Sequence, residues 1–176
     1  MRVLIEGRPG SGKTTAGARV AHLLGERKVE VRGFVTHEVR ERGTRVGFTV
    51  KAFGGAEAML AHVDLPGPPR VGKYGVDLDA FERVALPALE SPPAGVVVVV
   101  DELGKMELAS RRFLGLVVEL LDAPISAVAT VHVFRHPFTD HLKSQPGIEL
   151  IKLTRANRDS LPADLVERLL QADPER

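Results

Sequence analysis

The stretch GRPGSGKT, residues 7–14, separates a hydrophobic run, RVLIE, from a segment with helical periodicity, TTAGARVAHLLGE. It matches the P-loop pattern: a glycine, four residues, then glycine, lysine and threonine. Glycines let the backbone wrap closely around an anion, and successive N–H groups then point into the concave loop. The dipole of a helix that begins near Lys13 attracts the same anion. The order strand, loop, helix therefore predicts a phosphate-binding site.

The pattern assigns a role to each side chain of the loop. Lys13 is expected to reach the β- and γ-phosphates, and the Thr14 hydroxyl to ligate Mg²⁺, the predicted cofactor. Thr15 is placed to contact the α-phosphate. The predicted nucleotide-binding residues here are Gly7, Arg8, Pro9, Gly10, Ser11, Gly12, Lys13, Thr14 and Thr15.

Composition limits the other classes of function. The 176 residues are 44% hydrophobic and 27% charged, so we expect a single globular domain over residues 1–176. A formal net charge of +1 lacks the positive excess that duplex DNA requires, and 5% aromatic residues supply little for base stacking. The twelve prolines and an excess of arginine over lysine favour a thermophilic source, although genome base composition biases arginine in the same direction.

The sequence favours a cytoplasmic protein. It contains no cysteine, which excludes disulfides, thiol nucleophiles and cysteine metal sites. The longest apolar run, AGVVVVV, falls far short of the roughly 20 residues that a membrane helix needs. The N-terminal run is too short for the hydrophobic part of a signal peptide. We therefore expect no membrane association.

Short β-branched runs alternate with helical patterns, which predicts an α/β fold with a mostly parallel sheet between helices. Strands are predicted at residues 2–6, 29–40, 45–53, 95–102, 125–132 and 148–154, and helices at 14–26, 77–90, 110–122, 136–143 and 161–173. The strands at 29–40 and 45–53 are expected to form an antiparallel hairpin. Residues 54–75 are predicted to be loop-rich because several prolines interrupt them, and Pro87 is expected to kink or end its helix.

Two carboxylates follow the run of five valines that predicts a central strand. A P-loop protein keeps a second Mg²⁺ handle at the carboxyl end of a neighbouring strand, so Asp101 is the predicted metal ligand. Glu102 points elsewhere and is expected to orient or deprotonate a water for in-line attack on the γ-phosphorus. The alternative is that Glu102 only solvates the strand end.

Polar residues also end the following predicted strand. Thr130 is a candidate sensor of the γ-phosphate or the attacking water, or a threonine tolerated in a buried strand. His132, His136 and His141 suggest a metal site, but neither HExxH spacing nor cysteine accompanies them, so surface or loop histidines are favoured.

The chain resembles the small nucleoside-triphosphatases of thermophiles and their animal relatives, the cancer-related nucleoside-triphosphatases. The shared pieces are GRPGSGKTT, GFVTHEVR with RVGF, VGKYGVD, DELGKMEL and NRD. DELGKMEL is the most specific, and Leu103 replaces the usual isoleucine within it. The resemblance implies slow, Mg²⁺-dependent hydrolysis of ATP, GTP and other NTPs to NDP and phosphate. It also implies a RecA-like sheet, with one strand inserted between the P-loop strand and the Asp101 strand.

Further candidate residues lie outside the two motifs. Lys105, close to Glu102 in the matching segment, is expected to join Glu102 and Lys13 as a catalytic group by supplying transition-state charge; a solvated lysine is the alternative. Asn157 and Arg158 follow the last predicted strand and either contact the base or cap the next helix.

The hairpin and the GKYG segment carry further candidates. Tyr74 and Lys73 either contact nucleotide or are structural, and Arg40 and Arg45 are expected to be solvated.

Two other functions remain open from the residues alone. A small nucleoside or nucleotide kinase would use the same phosphate loop, but the chain shows no arginine-rich lid, and residues 64–76 are the best substitute. A non-catalytic nucleotide-binding adaptor or switch is the other; NRDS only partly matches the NKxD base-reading motif of GTPases. A monomer is the default expectation, and an RNA or protein partner that supplies an arginine is not identifiable.

Overall fold

A computed structural model describes residues 1–172, in which nine strands form one continuous sheet. The strands are β1 (Arg2–Gly7), β2 (Val31–Glu41), β3 (Thr44–Ala52), β4 (Glu57–His62), β5 (Arg70–Val71), β6 (Tyr74–Val76), β7 (Val97–Leu103), β8 (Ser126–His132) and β9 (Glu149–Lys152). The helices are α1 (Lys13–Glu26), α2 (Leu78–Leu89), α3 (Arg111–Asp122), α4 (Pro137–Ser144) and α5 (Leu161–Gln171). The strand order is β5-β6-β4-β3-β2-β7-β8-β1-β9.

The centre of the sheet is parallel. Strands β2, β7, β8, β1 and β9 pair in parallel, and β8 lies between the P-loop strand β1 and the acid-bearing strand β7. This confirms the inserted strand that the family resemblance implies. The valines of β7 are almost completely buried, as a strand covered by helices on both faces requires. The loops that follow β1, β2, β7 and β8 therefore meet at one edge of the sheet.

The antiparallel part is larger than the predicted hairpin. β2 and β3 form that hairpin, but β4, β5 and β6 extend it, so the prediction of a loop-rich segment over residues 54–75 is wrong there. Leu60 and Ala61 of β4 are fully buried. The prolines lie between the strands rather than within them, and β5 has only two residues, too few to produce an alternating pattern.

Helices cover both faces of the sheet. α1 and α5 pack on one face, where Val20, Leu24 and Leu165 are fully buried. On the other face, Phe81 of α2 and Phe113 of α3 pack edge to face with centroids 5.1 Å apart. Every helix within residues 1–172 is too short or too polar to cross a membrane.

The helix ends largely follow the predictions. Asp77 accepts a hydrogen bond from Ala80 N at 2.8 Å, and Ser110 accepts one from Phe113 N at 3.1 Å, so both act as N-terminal caps. Pro87 does not end α2, which continues to Leu89, because a proline in the last turn removes few intrahelical bonds. The predicted last residue of the final helix, Asp173, lies outside the described residues.

Candidate active site

The P-loop joins β1 to α1 with the backbone that an anion cradle needs. Gly10 and Gly12 have φ values of 74° and 99°, a region that side chains rarely tolerate. A Cβ at Gly7 would collide with the Ser11 hydroxyl. That hydroxyl is buried without a hydrogen-bond partner. A buried orphan donor inside a ring of amides suits a phosphate oxygen, which accepts such bonds.

Lys13 connects the loop to the acidic strand. Its side chain is 6% exposed, and its Nζ lies 3.2 Å from Glu102 Oε2. The same nitrogen donates a hydrogen bond to the Arg8 carbonyl at 3.3 Å. The loop lysine and the second acid therefore face the same space. A bound triphosphate would compete with Glu102 for the ammonium group, because both are anions.

Asp101 is completely buried next to two threonines. Its Oδ1 accepts a hydrogen bond from the Thr130 hydroxyl at 2.5 Å, whereas Oδ2 has no partner. Burial raises the pKa of Asp101, and the Thr130 and Thr14 hydroxyls oppose that rise. A buried carboxylate oxygen with no partner, close to a hydroxyl, fits a hard cation such as Mg²⁺, which uses few protein ligands and retains water.

A third carboxylate lies behind Glu102. Glu107, in a single turn of 3₁₀ helix over Glu107–Ala109, is 5% exposed. Burial raises the pKa of Glu107 to about 8, and the charges of Glu102 and Asp101 add to the shift. A Cβ on Gly104 would lie 2.7 Å from Glu107 Oε2 and 3.1 Å from Glu102 Oε1, so a larger residue there would displace the two carboxylates.

A cavity of about 540 Å³ opens beside Lys13, Glu102 and Glu107. Of the predicted site residues, it is lined by Pro9, Gly10, Gly12, Lys13, Thr14, Thr15, Glu102 and Lys105. Residues 36–38, Arg45 and Phe48 of the β2–β3 hairpin also line the cavity, as do His132 at the end of β8 and Phe134 after it. A cavity of this size accommodates a small ligand.

Comparison with known proteins identifies the family. The model of a family described as NTPase matches residues 2–166. The chain belongs to this NTPase family. It is 40% identical over 167 residues to the nucleoside-triphosphatase THEP1 of Thermotoga petrophila, covering 94% of this chain and 91% of that protein. It is 36% identical over 178 residues to the human cancer-related nucleoside-triphosphatase, covering 93% and 94%.

Two solved structures share the NTPase fold seen here. The crystal structure of THEP1 from Aquifex aeolicus superimposes with a TM-score of 0.87 at 35% identity, covering 96% of this chain and 99% of that one. The solution structure of the human cancer-related nucleoside triphosphatase gives 0.83 at 36% identity, covering 97% of each chain. These comparisons confirm the predicted family and fold class.

Several residues have other contacts than the sequence suggested. Thr130 is fully buried and its hydroxyl binds Asp101, so it orients the carboxylate rather than standing free for the γ-phosphate. Tyr74 is 7% exposed and packs edge to face against Phe48, which favours the structural role for Tyr74. Arg45 is exposed, as expected, and it also lines the cavity. Lys105 also lines it, with Nζ 5.6 Å from the Phe134 ring centroid, and its catalytic role stays a prediction.

Asn157 and Arg158 lie away from the cavity lining. The Asn157 side chain accepts hydrogen bonds from Thr154 N at 2.7 Å and Thr154 Oγ1 at 3.1 Å, and donates to the Lys152 carbonyl at 3.0 Å. Arg158 contacts Asp159 at 3.6 Å. Asn157 therefore closes the turn after β9, and base recognition by either residue stays a prediction.

His132 is a site residue that the sequence did not single out from other histidines. It is 4% exposed, so the expectation of a surface or loop histidine is wrong for this residue. Neither ring nitrogen has a hydrogen-bond partner. Burial and the charge of Lys143 lower the pKa of His132. A neutral imidazole offers one donor and one acceptor to whatever enters the cavity.

Histidines do not assemble into a metal cluster in the part of the chain that the structure describes. The His132 and His136 rings have centroids 6.5 Å apart, whereas His141 contacts the Gln145 side chain at 3.0 Å. Lys143 of α4 donates a hydrogen bond to the His132 carbonyl at 2.8 Å. This bond links α4 to the end of β8, where His132 lies.

Glu107→Gln is expected to raise stability, and to raise it more at alkaline pH. Below the ordinary pKa of 4.5, the carboxyl is protonated in the folded and unfolded chain alike. Between pH 4.5 and about 8 only the unfolded chain ionises, so the wild type loses stability as pH rises. Glutamine does not ionise and escapes a cost on the order of 3 kcal/mol at neutral pH.

Thermal unfolding of the Glu107→Gln variant and the wild type, followed between about pH 5 and about pH 9, measures this difference. The exposed Glu119→Gln variant is the control for a generic charge effect. An advantage of Glu107→Gln that stays constant or shrinks with rising pH would contradict the raised pKa.

Proposed function

We propose that this protein is a nucleoside-triphosphate phosphohydrolase that cleaves the γ-phosphate of ATP, GTP and other NTPs with Mg²⁺. The observation that carries the proposal is the meeting of the P-loop lysine and the strand-end acid Glu102 in one cavity, with Lys13 Nζ 3.2 Å from Glu102 Oε2 and Asp101 buried next to Glu102 in the chain. The curated relatives are named nucleoside-triphosphatases, which supports the reaction class. Broad base preference follows from the family resemblance.

The P-loop binds the triphosphate in this proposal. The backbone N–H groups of residues 10–14 and the Ser11 hydroxyl donate to the β- and γ-phosphate oxygens, and Lys13 leaves Glu102 to neutralise their charge. Thr14 and Asp101 hold Mg²⁺, with Thr130 fixing the orientation of Asp101. Bound Mg²⁺ supplies charge stabilisation at the β- and γ-phosphate oxygens. Arg8 and Pro9 shape the mouth of the loop.

Glu102 orients and deprotonates the attacking water. Its side chain is 28% exposed, so water has access, and it points into the cavity beside Lys13. The departure of Lys13 toward the phosphates leaves a carboxylate free to accept a proton. Glu107 backs Glu102 in its protonated form and therefore adds no second negative charge at neutral pH. Lys105, which lines the cavity, supplies positive charge to the transition state of γ-phosphate cleavage.

His132 completes this arrangement by contacting the γ-phosphate or the lytic water from β8. We expect His132→Leu to lower kcat about 10- to 100-fold, the effect of one hydrogen bond to a charged group. His132→Gln, which keeps a donor and an acceptor, should retain most of the activity. Binding of a nonhydrolysable ATP analogue should change much less than kcat in both variants. Equal kcat for His132→Leu and wild type would contradict this role.

Phosphate release tests the proposed reaction. Purified protein with Mg·ATP or Mg·GTP and no acceptor should release phosphate, and chelation of the metal should stop it. Nucleotide that binds and is never turned over would instead support an adaptor. We further propose that one domain spanning residues 1–176 acts as a cytoplasmic monomer. The mass of the protein in solution tests the oligomeric state.

A further inference from the structure

The β2–β3 hairpin overhangs the acids of β7. Phe34 of β2 pairs with Val100 of β7; β2 continues seven residues beyond this pair, to Glu41, and β7 three, to Leu103. At about 3.3 Å per residue, β2 therefore projects about 13 Å past the strand that carries Asp101 and Glu102. The overhang forms the wall of the cavity that faces the P-loop.

That wall carries a preorganised cation. Arg45 Nη1 donates to Glu38 Oε1 at 2.6 Å, and Nε donates to the Tyr74 hydroxyl at 3.1 Å. The guanidinium carbon lies 5.1 Å from the centroid of the Phe48 ring. Nη2 has no hydrogen-bond partner among residues 1–172. A guanidinium held on three sides with one edge free loses little entropy when it binds an anion.

The charge of this cation is only partly compensated. Arg40 also binds Glu38, with Nη2 2.6 Å from Oε2, so two guanidinium groups share one carboxylate. Lys73 donates to the Arg45 carbonyl at 3.1 Å and adds a further positive charge. The hairpin wall is therefore electropositive.

The wall lies on the nucleophile's side of the γ-phosphate. In-line displacement places the attacking and leaving oxygens on opposite sides of the phosphorus, and Glu102 marks the attacking side. The sheet order runs from β1 through β8 to β7 and then to β2, so the hairpin lies one strand beyond Glu102. On this side the cavity is lined by Arg45, Phe48 and Val71.

We propose that the space between Glu102 and Arg45 is a phosphoryl-acceptor subsite for a small organic phosphate that carries a free hydroxyl. Its phosphate binds Arg45 Nη2, its body packs on Phe48 and Val71, and its hydroxyl faces the γ-phosphate. This inference rests on the proposed function, because the same NTP, Mg²⁺ and Glu102 serve both nucleophiles.

The transfer follows the chemistry of hydrolysis with a different nucleophile. The acceptor oxygen forms a bond to the γ-phosphorus while the bond from that phosphorus to the β–γ bridging oxygen breaks. The electron pair of the broken bond leaves with NDP, and the hydroxyl proton passes to the Glu102 carboxylate. In the absence of acceptor, water takes the same position and phosphate is released.

Acceptor binding is tested on protein saturated with Mg²⁺ and a nonhydrolysable ATP analogue. The probes are the four ribonucleoside 5′-monophosphates and ribose 5-phosphate, titrated calorimetrically. At least one should bind saturably with one-to-one stoichiometry, and Arg45→Ala should weaken its binding about tenfold or more, since it removes a charge-assisted contact. Arg40→Ala is the matched control, because Arg40 shares Glu38 but does not line the cavity.

Transfer is then measured with ATP labelled at the γ-phosphate. A labelled ester of the bound probe, formed by the wild type and lost in Arg45→Ala, is the expected result. Absence of binding by every probe, equal weakening in Arg40→Ala, or labelled phosphate as the only product would overturn the subsite. Phosphate release by the wild type without any probe tests the hydrolase function separately. Failure of the acceptor subsite can therefore be distinguished from failure of the proposed hydrolase function.

Discussion

Glu102→Gln is expected to bind nucleotide and to release almost no phosphate. Glutamine has the shape of glutamate but does not accept a proton at neutral pH, so kcat should fall about 10²- to 10⁴-fold, the contribution typical of a general base. Nucleotide affinity should rise rather than fall. Lys13 Nζ lies 3.2 Å from Glu102 Oε2, and the neutral amide of glutamine competes less well with phosphate for that lysine.

Single-turnover phosphate release and binding of a fluorescent nonhydrolysable analogue measure the two effects of Glu102→Gln separately. Glu57→Gln, an exposed change on β4, serves as the control and should match the wild type in both. Hydrolysis by Glu102→Gln at the wild-type rate would remove Glu102 from the mechanism. Loss of nucleotide binding would assign it to the cradle instead.

Asp101→Asn is expected to bind Mg²⁺ more weakly and to need a higher Mg²⁺ concentration for nucleotide turnover. An amide oxygen ligates Mg²⁺ more weakly than a carboxylate, so kcat at a fixed Mg²⁺ concentration should fall on the order of 10²-fold or more. Folding of the metal-free protein should not suffer. Burial raises the pKa of Asp101, which means that the ionised side chain is disfavoured there, and asparagine removes that cost.

A Mg²⁺ titration of phosphate release, together with thermal unfolding with and without Mg·ADP, tests this prediction. The wild type should be stabilised by Mg·ADP more than Asp101→Asn is. Thr130→Val is the matched comparison, because it removes the 2.5 Å hydrogen bond to Oδ1 and leaves the carboxylate in place. The Mg²⁺ concentration that Thr130→Val requires should lie between those required by the wild type and by Asp101→Asn. An unchanged Mg²⁺ requirement in Asp101→Asn would place the metal elsewhere.

The central sheet is predictable because its signals are local. Five consecutive valines identify a strand buried on both faces, and a P-loop fixes both a strand end and a helix start. The antiparallel extension escaped prediction because its signals are weak. β5 has two residues and β6 three, and the prolines around them indicate turns without showing that the intervening residues pair across strands.

Some site residues are recognisable from a local motif, whereas others depend on the tertiary fold. Lys13, Thr14, Asp101 and Glu102 are recognisable because their spacing relative to a strand end determines where they lie. The environment of Glu107 and His132 depends on burial, which no short pattern encodes: a glutamate and a histidine become unusual only when the fold removes their water. Arg45 meets the cavity because β2 overhangs β7, and strand overhang depends on the register of pairs distant in sequence.

The isotopic fate of the attacking water tests the central claim most directly. Mg·ATP is hydrolysed in water enriched in ¹⁸O by the purified wild-type protein, and the products of a single turnover are analysed by mass spectrometry. If the γ-phosphorus is attacked by a water held at Glu102, one ¹⁸O atom enters inorganic phosphate and none enters ADP. Label in ADP, or no phosphate at all despite bound nucleotide, would contradict the mechanism.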